Sequence, residues 1–133
     1  MLKDLIISKG KEISVLDGQE KLEYIIDLAK NLSPLDDKYK INKNKIFGCA
    51  SNLWVTAEKD NLGKIHYMFD ADAHITKGTT KLVVDLLNGQ LASEILTLKK
   101  EDFRSLGIME LLTVQRQNGL GNLIDRLILL AKA

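Results

Sequence analysis

Cysteine and proline are nearly absent from this chain, which has one of each, Cys49 and Pro34, in 133 residues. One thiol cannot form an intramolecular disulfide, and with only His66 and His74 beside it there is no four-ligand zinc pattern. We therefore expect no metal site and a reducing compartment. A single proline also leaves no proline-rich linker, so we expect an ordered chain nearly throughout.

Net charge, aromatic residues and long apolar runs are scarce as well. The 19 basic side chains are balanced by 18 acidic ones, so no net field attracts phosphate backbones. Aromatic residues make up 5% of the chain, too few for a base-stacking surface, and we expect no nucleic-acid binding. No segment approaches the ~20 apolar residues that span a bilayer. We expect a cytoplasmic protein without a membrane anchor.

The residues that are present have the composition of a globular protein. The apolar fraction is 45% and the charged fraction is 28%. A chain of 133 residues can build a hydrophobic core without a disulfide or metal. We therefore predict a single domain over residues 1–133.

Capping signals and apolar periodicity predict three helices. The segment 17–20, Asp-Gly-Gln-Glu, has the form of a capping box, and the apolar stripe that follows should end near Pro34. Helical spacing returns over 75–87, with Asn-Gly at 88–89 as the stop. A closing helix is predicted over 118–131, opened by Asn-Gly.

The middle of the chain predicts a β-hairpin. Residues 53–58 and 64–69 suit strands, and the Asp-Asn-Leu-Gly segment at 60–63 supplies the turn. Between 91 and 107 we expect short helices joined by turns, and over 36–45 a solvated polar connection. The order of elements indicates an α+β fold in which a small antiparallel sheet packs against helices.

Cys49 is a candidate reactive thiol because it lies in a loop just ahead of the hairpin. Gly48 relaxes the backbone beside it and permits close approach of another molecule. The alternative is a small buried hydrophobic residue, which is the commoner role of a lone cysteine. Lys43 and Lys45 lie upstream, but residues 46–54 carry no charge, which suggests a sheltered thiol.

Two other classes of function fit the same residues. In a cysteine hydrolase, His66 or His74 would act as the base for Cys49, although no Gln or Asn stands at a recognisable oxyanion-hole position. In a non-catalytic binding module, Cys49 would be structural. The hydrolase would turn over esters or amides by itself, whereas the structural thiol would resist alkylation until the protein unfolds.

Three further side chains are candidates for supporting roles. Trp54 is most simply a core or core-edge anchor, with partner binding as the alternative. Asp72 is predicted to be the N-cap of the second long helix, and with Asp70 it lacks the further ligands of a metal site. Arg116 is expected in a polar turn, either solvated or folded inward to pair with a carboxylate such as Asp72 or to steady the loop carrying Cys49.

Three separated segments together resemble the SufE family. Segment 48–54, Gly-Cys-Ala-Ser-Asn-Leu-Trp, is similar to the family's Gly-Cys-x-Ser-x-x-Trp. Segment 72–78, Asp-Ala-His-Ile-Thr-Lys-Gly, is similar to its Ser-Asp-x-x-Ile-Val-Lys-Gly. Segment 112–120, Leu-Thr-Val-Gln-Arg-Gln-Asn-Gly-Leu, is similar to its Leu-Ser/Thr-Pro-Ser-Arg-x-x-Gly-Leu. The likeness extends from about residue 16 to the C-terminus.

The resemblance implies an α+β fold of the SufE/IscU type and assigns roles by position. Cys49 matches the sulfur-accepting cysteine, which attacks a persulfide on a cysteine desulfurase and becomes a persulfide itself. The other matched positions are implied to position the loop or contact the partner: Gly48, Ser51, Trp54, Asp72, Lys77, Arg116 and Gly119.

The same resemblance implies a sulfur carrier and desulfurase activator for iron–sulfur cluster assembly in the cytoplasm, not a free-standing enzyme. The expected partners are a pyridoxal-phosphate-dependent desulfurase of the SufS or CsdA type and a scaffold like SufBCD. The pyridoxal phosphate belongs to the desulfurase, so no cofactor is expected here. A homodimer is left open. Because the thiol is sheltered, we expect residues 46–52 to move outward about Gly48.

Overall fold

The computed structural model describes residues 2–49 and 51–132, and within them the chain forms five α-helices and one β-hairpin. The helices are α1 (Leu2–Ser14), α2 (Gly18–Leu28), α3 (His74–Leu87), α4 (Ala92–Ile95) and α5 (Val114–Leu130), and the strands are β1 (Leu53–Lys59) and β2 (Ile65–Ala71). Short 3-10 helices lie at Asp37–Tyr39, Asn42–Asn44, Lys100–Leu106 and Met109–Leu111. The α+β prediction is confirmed.

The β-hairpin forms where the turn signal placed it. β1 and β2 pair antiparallel from Leu53 opposite Ala71 to Lys59 opposite Ile65. In the turn, Asp60 Oδ1 accepts hydrogen bonds from the amides of Leu62 and Lys64. Because side chains alternate along a strand, one face of the sheet packs on the helices and the other meets solvent.

Helix α2 confirms the predicted capping box but ends earlier than predicted. The Asp17 side chain accepts from the Glu20 amide, and the Glu20 side chain accepts from the Asp17 amide. The helix stops at Leu28, with Ala29 as its C-cap, instead of continuing to Pro34. Asn31 has a φ of 62°, a left-handed conformation that cannot continue a right-handed helix.

Helix α1 was not predicted, and the start of α5 was predicted four residues too late. α1 buries Leu2, Ile6 and Ile13 at helical spacing, with lysines between them that made the stretch look polar. α5 begins at Val114 because the Thr113 hydroxyl accepts from the amide at position 116 and caps the helix. Val114 and Gln115, which open the helix, are exposed, so apolar periodicity does not mark its start.

The core lies between the sheet and the long helices. Leu53 and Val55 of β1 meet Leu82 and Val83 of α3 and the apolar face of α5 in one buried cluster. Short helices joined by turns occupy the stretch after α3, as predicted. Within residues 2–49 and 51–132, no helix is long and apolar enough to cross a membrane.

Candidate functional site

Cys49 lies in a loop whose two ends are joined at the start of the hairpin. The Ile46 amide donates to the Leu53 carbonyl at 2.8 Å, and Lys45 forms a β-bridge with Trp54. We call residues 47–49 and 51–52 the cysteine loop; Ala50, part of the first motif, lies outside the described residues. The base of this loop is buried, since Ile46 and Leu53 are almost inaccessible.

The half-buried thiol of Cys49 lines a small cavity, the thiol cavity. Its volume of about 10 Å³ is close to the smallest that admits one water molecule. The lining residues come from β1, α3, α5 and the segment before α5: Leu53, Ile75, Thr76, Thr79, Thr80, Leu112, Arg116, Gly119, Leu120 and Leu123. Burial raises the pKa of Cys49 above the ordinary thiol value, so this enclosed position favours the neutral thiol over the thiolate.

Gly119 makes this position possible. A Cβ at residue 119 would lie 2.8 Å from Cys49 Sγ and 3.2 Å from Cys49 Cα. The first distance is shorter than real Cβ contacts, and the second is tighter than most of them, so a Cβ at this position would force Cys49 to shift. The structure therefore brings together Cys49 of the first motif and Gly119 of the third, which are 70 residues apart in the sequence.

Side-chain hydrogen bonds hold both arms of the cysteine loop. On the C-terminal arm, Ser51 Oγ donates to Thr76 Oγ1 at 3.0 Å and Asn52 Nδ2 donates to Asp72 Oδ2 at 2.6 Å. On the N-terminal arm, Asn122 Nδ2 donates to the Phe47 carbonyl at 2.9 Å. The loop is thus fastened to α3 on one side and to α5 on the other.

Two predictions about the loop's neighbours are corrected by these contacts. Asp72 is not the N-cap of α3, since Ala73 takes that position without a side-chain cap and the Asp72 carboxylate accepts from Asn52 instead. Arg116 lies in the first turn of α5 and not in a turn before it. Of the two predicted alternatives, a solvated side chain and one folded inward, the structure shows the second.

Arg116 contributes a cation to the thiol cavity without an ion pair among the described residues. Its Nε is buried and has no hydrogen-bond partner within that part of the chain. The pairing with Asp72 does not form. A buried donor without a partner costs free energy, so the Nε–H of Arg116 is available to an acceptor entering the cavity.

Lys77, Asp70 and Lys40 form a separate group of charged side chains, which we call the ionic cluster. The Trp54 ring lies beside Lys40. The buried Asp70 carboxylate lies 3.0 Å from both Lys77 Nζ and Lys40 Nζ, and it accepts from the Leu35 amide. Burial alone would raise the pKa of Asp70, but these donors outweigh it and lower the pKa to about 2. Lys40 Nζ also lies 5.4 Å from the Trp54 ring centre.

The ionic cluster gives Trp54 and Lys77 structural contacts. Through Lys40 and Leu35, it ties the polar connection before the cysteine loop to β2 and α3. Asp70 was considered from the sequence only as a partner of Asp72. Its true partners lie about 30 residues upstream and on the next helix, beyond any local motif.

The histidines do not meet the thiol. His66 is exposed at the turn end of the hairpin, where its Nε2 lies 2.8 Å from Asp60 Oδ2, whereas Cys49 is at the opposite end. His74 is exposed at the start of α3 and is not among the residues lining the thiol cavity. In the described part of the chain, no group of three His, Cys, Asp or Glu residues is placed to hold a metal ion.

Sequence reasoning missed Asn122 and Arg126 of α5. Arg126 Nη1 donates to the Lys43 carbonyl at 3.3 Å, one turn along the helix from the contact of Asn122 with Phe47. Both side chains bind backbone carbonyls, which leave no complementary pattern in the sequence. Nothing short of the fold places them beside the loop.

Comparison with solved structures supports the architecture. A protein from Thermus thermophilus, solved in solution and described as hypothetical, superposes with a TM-score of 0.75 over 93% of each chain. Its sequence identity to this chain is 20%, so the likeness concerns the fold alone.

Comparison with known sequences extends the likeness to a family. A SufE-like protein of Rhizobium etli is 33% identical and is matched over 84% of this chain and 78% of its own length. The "Cysteine desulfuration protein SufE" of Wigglesworthia glossinidia brevipalpis is 35% identical over 79% of this chain and 74% of its own. "SufE-like protein 1, chloroplastic/mitochondrial" of Arabidopsis thaliana is 37% identical over 84% of this chain, which spans only 30% of that protein.

The family description itself matches most of the chain. SufE, the Fe-S metabolism associated domain, matches residues 9–131, a range that includes all three sequence motifs and every residue of the thiol cavity. The chain therefore belongs to the SufE family, whose domain is associated with iron–sulfur metabolism.

Proposed function

We propose that Cys49 accepts the terminal sulfur of a persulfide carried by a cysteine desulfurase and holds it for iron–sulfur cluster assembly. The observation that carries this proposal is the placement of Cys49, half-buried on a loop fastened at both arms, against a cavity of about 10 Å³. That volume is about enough for one atom added to the thiol. Membership of the SufE family and the name of the Wigglesworthia relative support the same role.

The transfer is a displacement at sulfur. The Cys49 thiolate attacks the terminal sulfur of the donor persulfide, a new S–S bond forms on Cys49, and the donor's S–S bond breaks. The donor cysteine leaves as a thiolate, and the terminal sulfur moves without net oxidation or reduction. The product is a persulfide on Cys49, which a thiolate of a scaffold protein takes by the same displacement.

The raised pKa of Cys49 implies that the reactive form arises outside the enclosed position. Movement of the loop toward solvent or a partner removes the burial that disfavours the thiolate. Gly48, with a φ of 85°, is the natural pivot because few other residues adopt this conformation. When the loop returns with a persulfide on Cys49, the first turn of α3 and the Arg116 guanidinium would face the terminal sulfur anion of that persulfide.

Desulfurase stimulation follows from this mechanism. The desulfurase cannot begin another cycle until its own cysteine is cleared of sulfur, so an acceptor that removes the sulfur raises the rate. The chain then acts as co-substrate and activator, and the pyridoxal phosphate resides in the desulfurase. A SufS- or CsdA-like desulfurase and a SufBCD-like scaffold are the proposed partners, and a cytoplasmic location stays a prediction.

The test combines the purified chain with an active desulfurase and free cysteine, followed by intact mass measurement and peptide mapping. We expect one added, reducible sulfur atom on Cys49 and faster sulfide release under reducing conditions. Cys49→Ser is the matched control and should gain no sulfur. A parent chain that gains none, beside a desulfurase shown to be active, would contradict the proposal.

The binding module is the second candidate, because a half-buried thiol with a raised pKa is also what a structural cysteine shows. The two differ in accessibility. A sulfur acceptor is alkylated under native conditions at a rate limited by loop opening, whereas a structural thiol is alkylated only with global unfolding. Comparing the alkylation rate with the unfolding rate under the same conditions separates them.

A further inference from the structure

One stripe of α5 faces the segment that carries Cys49. Gly119, Asn122 and Arg126 follow one another at spacings of three and four residues, so they lie on the same side of the helix. Gly119 lies against the thiol, Asn122 binds the Phe47 carbonyl, and Arg126 binds the Lys43 carbonyl. The segment from Lys43 to Cys49 therefore lies along α5 for about two helical turns.

The contact of Asn122 is directed at the pivot. Its amide nitrogen binds the carbonyl of Phe47, the residue just before Gly48, and a Cβ on Gly48 would lie 2.5 Å from that nitrogen. Gly48 is thus required both for its backbone conformation and for the approach of Asn122. Movement about Gly48 that carries Phe47 with it must first break this hydrogen bond.

The strength of the contact suits a reversible step. Asn122 and Phe47 are both exposed, so water or a partner's donor can replace the amide at the Phe47 carbonyl. The other arm is held by two side-chain pairs, Ser51 with Thr76 and Asn52 with Asp72. Among the described residues, the N-terminal arm has one such bond, at the pivot, which makes it the arm that opens more easily.

We propose that Asn122 is a positioning residue that holds the cysteine loop in its enclosed position and sets how often Cys49 is exposed. The consequence for sulfur transfer rests on the proposed function, but the exposure of Cys49 is a property of the isolated chain. A partner that offers a hydrogen-bond donor to the Phe47 carbonyl would take the place of Asn122 and stabilise the open loop.

The experiment is native-state alkylation of Cys49 by iodoacetamide in Asn122→Ala, without any desulfurase. We expect alkylation about five-fold faster than in the parent chain, the factor that corresponds to the loss of one exposed hydrogen bond of about 1 kcal/mol. Asn122→Asp should accelerate alkylation at least as much, because a carboxylate keeps the size of the side chain but cannot donate to a carbonyl.

Asn118→Ala is the matched control. Asn118 is an exposed asparagine one turn earlier on α5, with no side-chain hydrogen bond to the described residues of the loop, so its removal should leave the rate unchanged. Equal rates in Asn122→Ala and the parent, or equal acceleration in Asn118→Ala, would overturn the proposal. Thermal unfolding of each variant separates local opening from global loss of stability.

Failure of this inference differs from failure of the proposed function. If Asn122→Ala leaves alkylation unchanged while the parent still gains sulfur from a desulfurase, the positioning role is wrong and the acceptor role stands. If alkylation accelerates but no variant gains sulfur, the positioning role stands and the acceptor role is wrong.

Discussion

A Cβ at position 119 would lie 2.8 Å from Cys49 Sγ, so the glycine on α5 is what admits the thiol to its cavity. Gly119→Ala should therefore push Cys49 toward solvent. Overpacking of this kind costs ~1–3 kcal/mol, and we expect native-state alkylation of Cys49 to rise about ten-fold. The measurement is the alkylation rate followed by intact mass.

Gly121→Ala provides the control for the change of helix propensity. Its new Cβ would meet Lys100 Cδ at 3.2 Å, part of a flexible, half-exposed side chain that can move aside. Both variants gain helix propensity of ~1 kcal/mol, but only the change at 119 meets the thiol. Parent-like alkylation in Gly119→Ala would show that the loop does not depend on this contact.

The pH dependence of Cys49 reactivity should report its enclosure. Because burial raises the pKa, the thiolate fraction at neutral pH is lower than for an exposed cysteine, and the alkylation rate should keep rising beyond the ordinary midpoint of about 8.5. In Gly119→Ala the midpoint should move down toward that ordinary value. A parent midpoint below 8.5 would mean that positive charge, not burial, dominates at the thiol.

Asp70 should contribute stability that is lost in acid. Its folded-state pKa of about 2 lies below the ordinary value of 3.8, so the contribution is complete above about pH 5 and disappears as pH falls toward 2. We expect Asp70→Asn to lower the free energy of unfolding at pH 7 by about 1–3 kcal/mol, with a smaller loss at pH 3. Urea unfolding at both pH values measures this difference.

Asp85→Asn is the control for Asp70→Asn. Asp85 pairs with Lys81 across one turn of α3, at 2.7 Å, but half of its side chain is exposed. Surface pairs of this spacing contribute ~0.3–0.5 kcal/mol. An Asp70→Asn variant no less stable than Asp85→Asn would contradict the role given to the ionic cluster.

Asn52 and Asp72 should act together in holding the cysteine loop closed, because they share one hydrogen bond. Asn52→Ala and Asp72→Ala each remove the 2.6 Å hydrogen bond, while the backbone bond from the Asp72 amide to the Asn52 carbonyl remains. We expect each variant to raise Cys49 alkylation about two- to five-fold, and the double variant to add little more. Additive effects would show independent roles, and unchanged rates would remove Asp72 from control of the loop.

Local signals account for the parts of the fold that were predicted. The capping box at Asp17, the turn at Asp60 and the Asn-Gly stop after α3 each act within a few residues, so the sequence alone places these boundaries. The N-terminus of α5 was predicted too late because Val114 and Gln115, which open the helix, are exposed and do not belong to its apolar stripe. Asp72 was misplaced as a cap because its carboxylate finds Asn52, a partner 20 residues away.

The site was predicted to the extent that its motifs are local. Cys49, Arg116 and Gly119 were singled out, but only the fold shows that they line one cavity. Asn122 and Arg126 bind carbonyls 75 and 83 residues away, and a carbonyl is the same in every residue. Side chains that recognise distant backbone therefore leave no signal in a single sequence.

Sulfur transfer to Cys49 is the central claim, and a single-turnover experiment tests it most directly. A desulfurase is first loaded with radiolabelled sulfur, and the unreacted cysteine substrate is removed. The loaded desulfurase is then mixed with this chain, and the label is located by non-reducing gel and peptide mapping. We predict that the label leaves the desulfurase and appears on the peptide containing Cys49, and not on Cys49→Ser. Label that stays on the desulfurase, or is released only as free sulfide, would contradict the account.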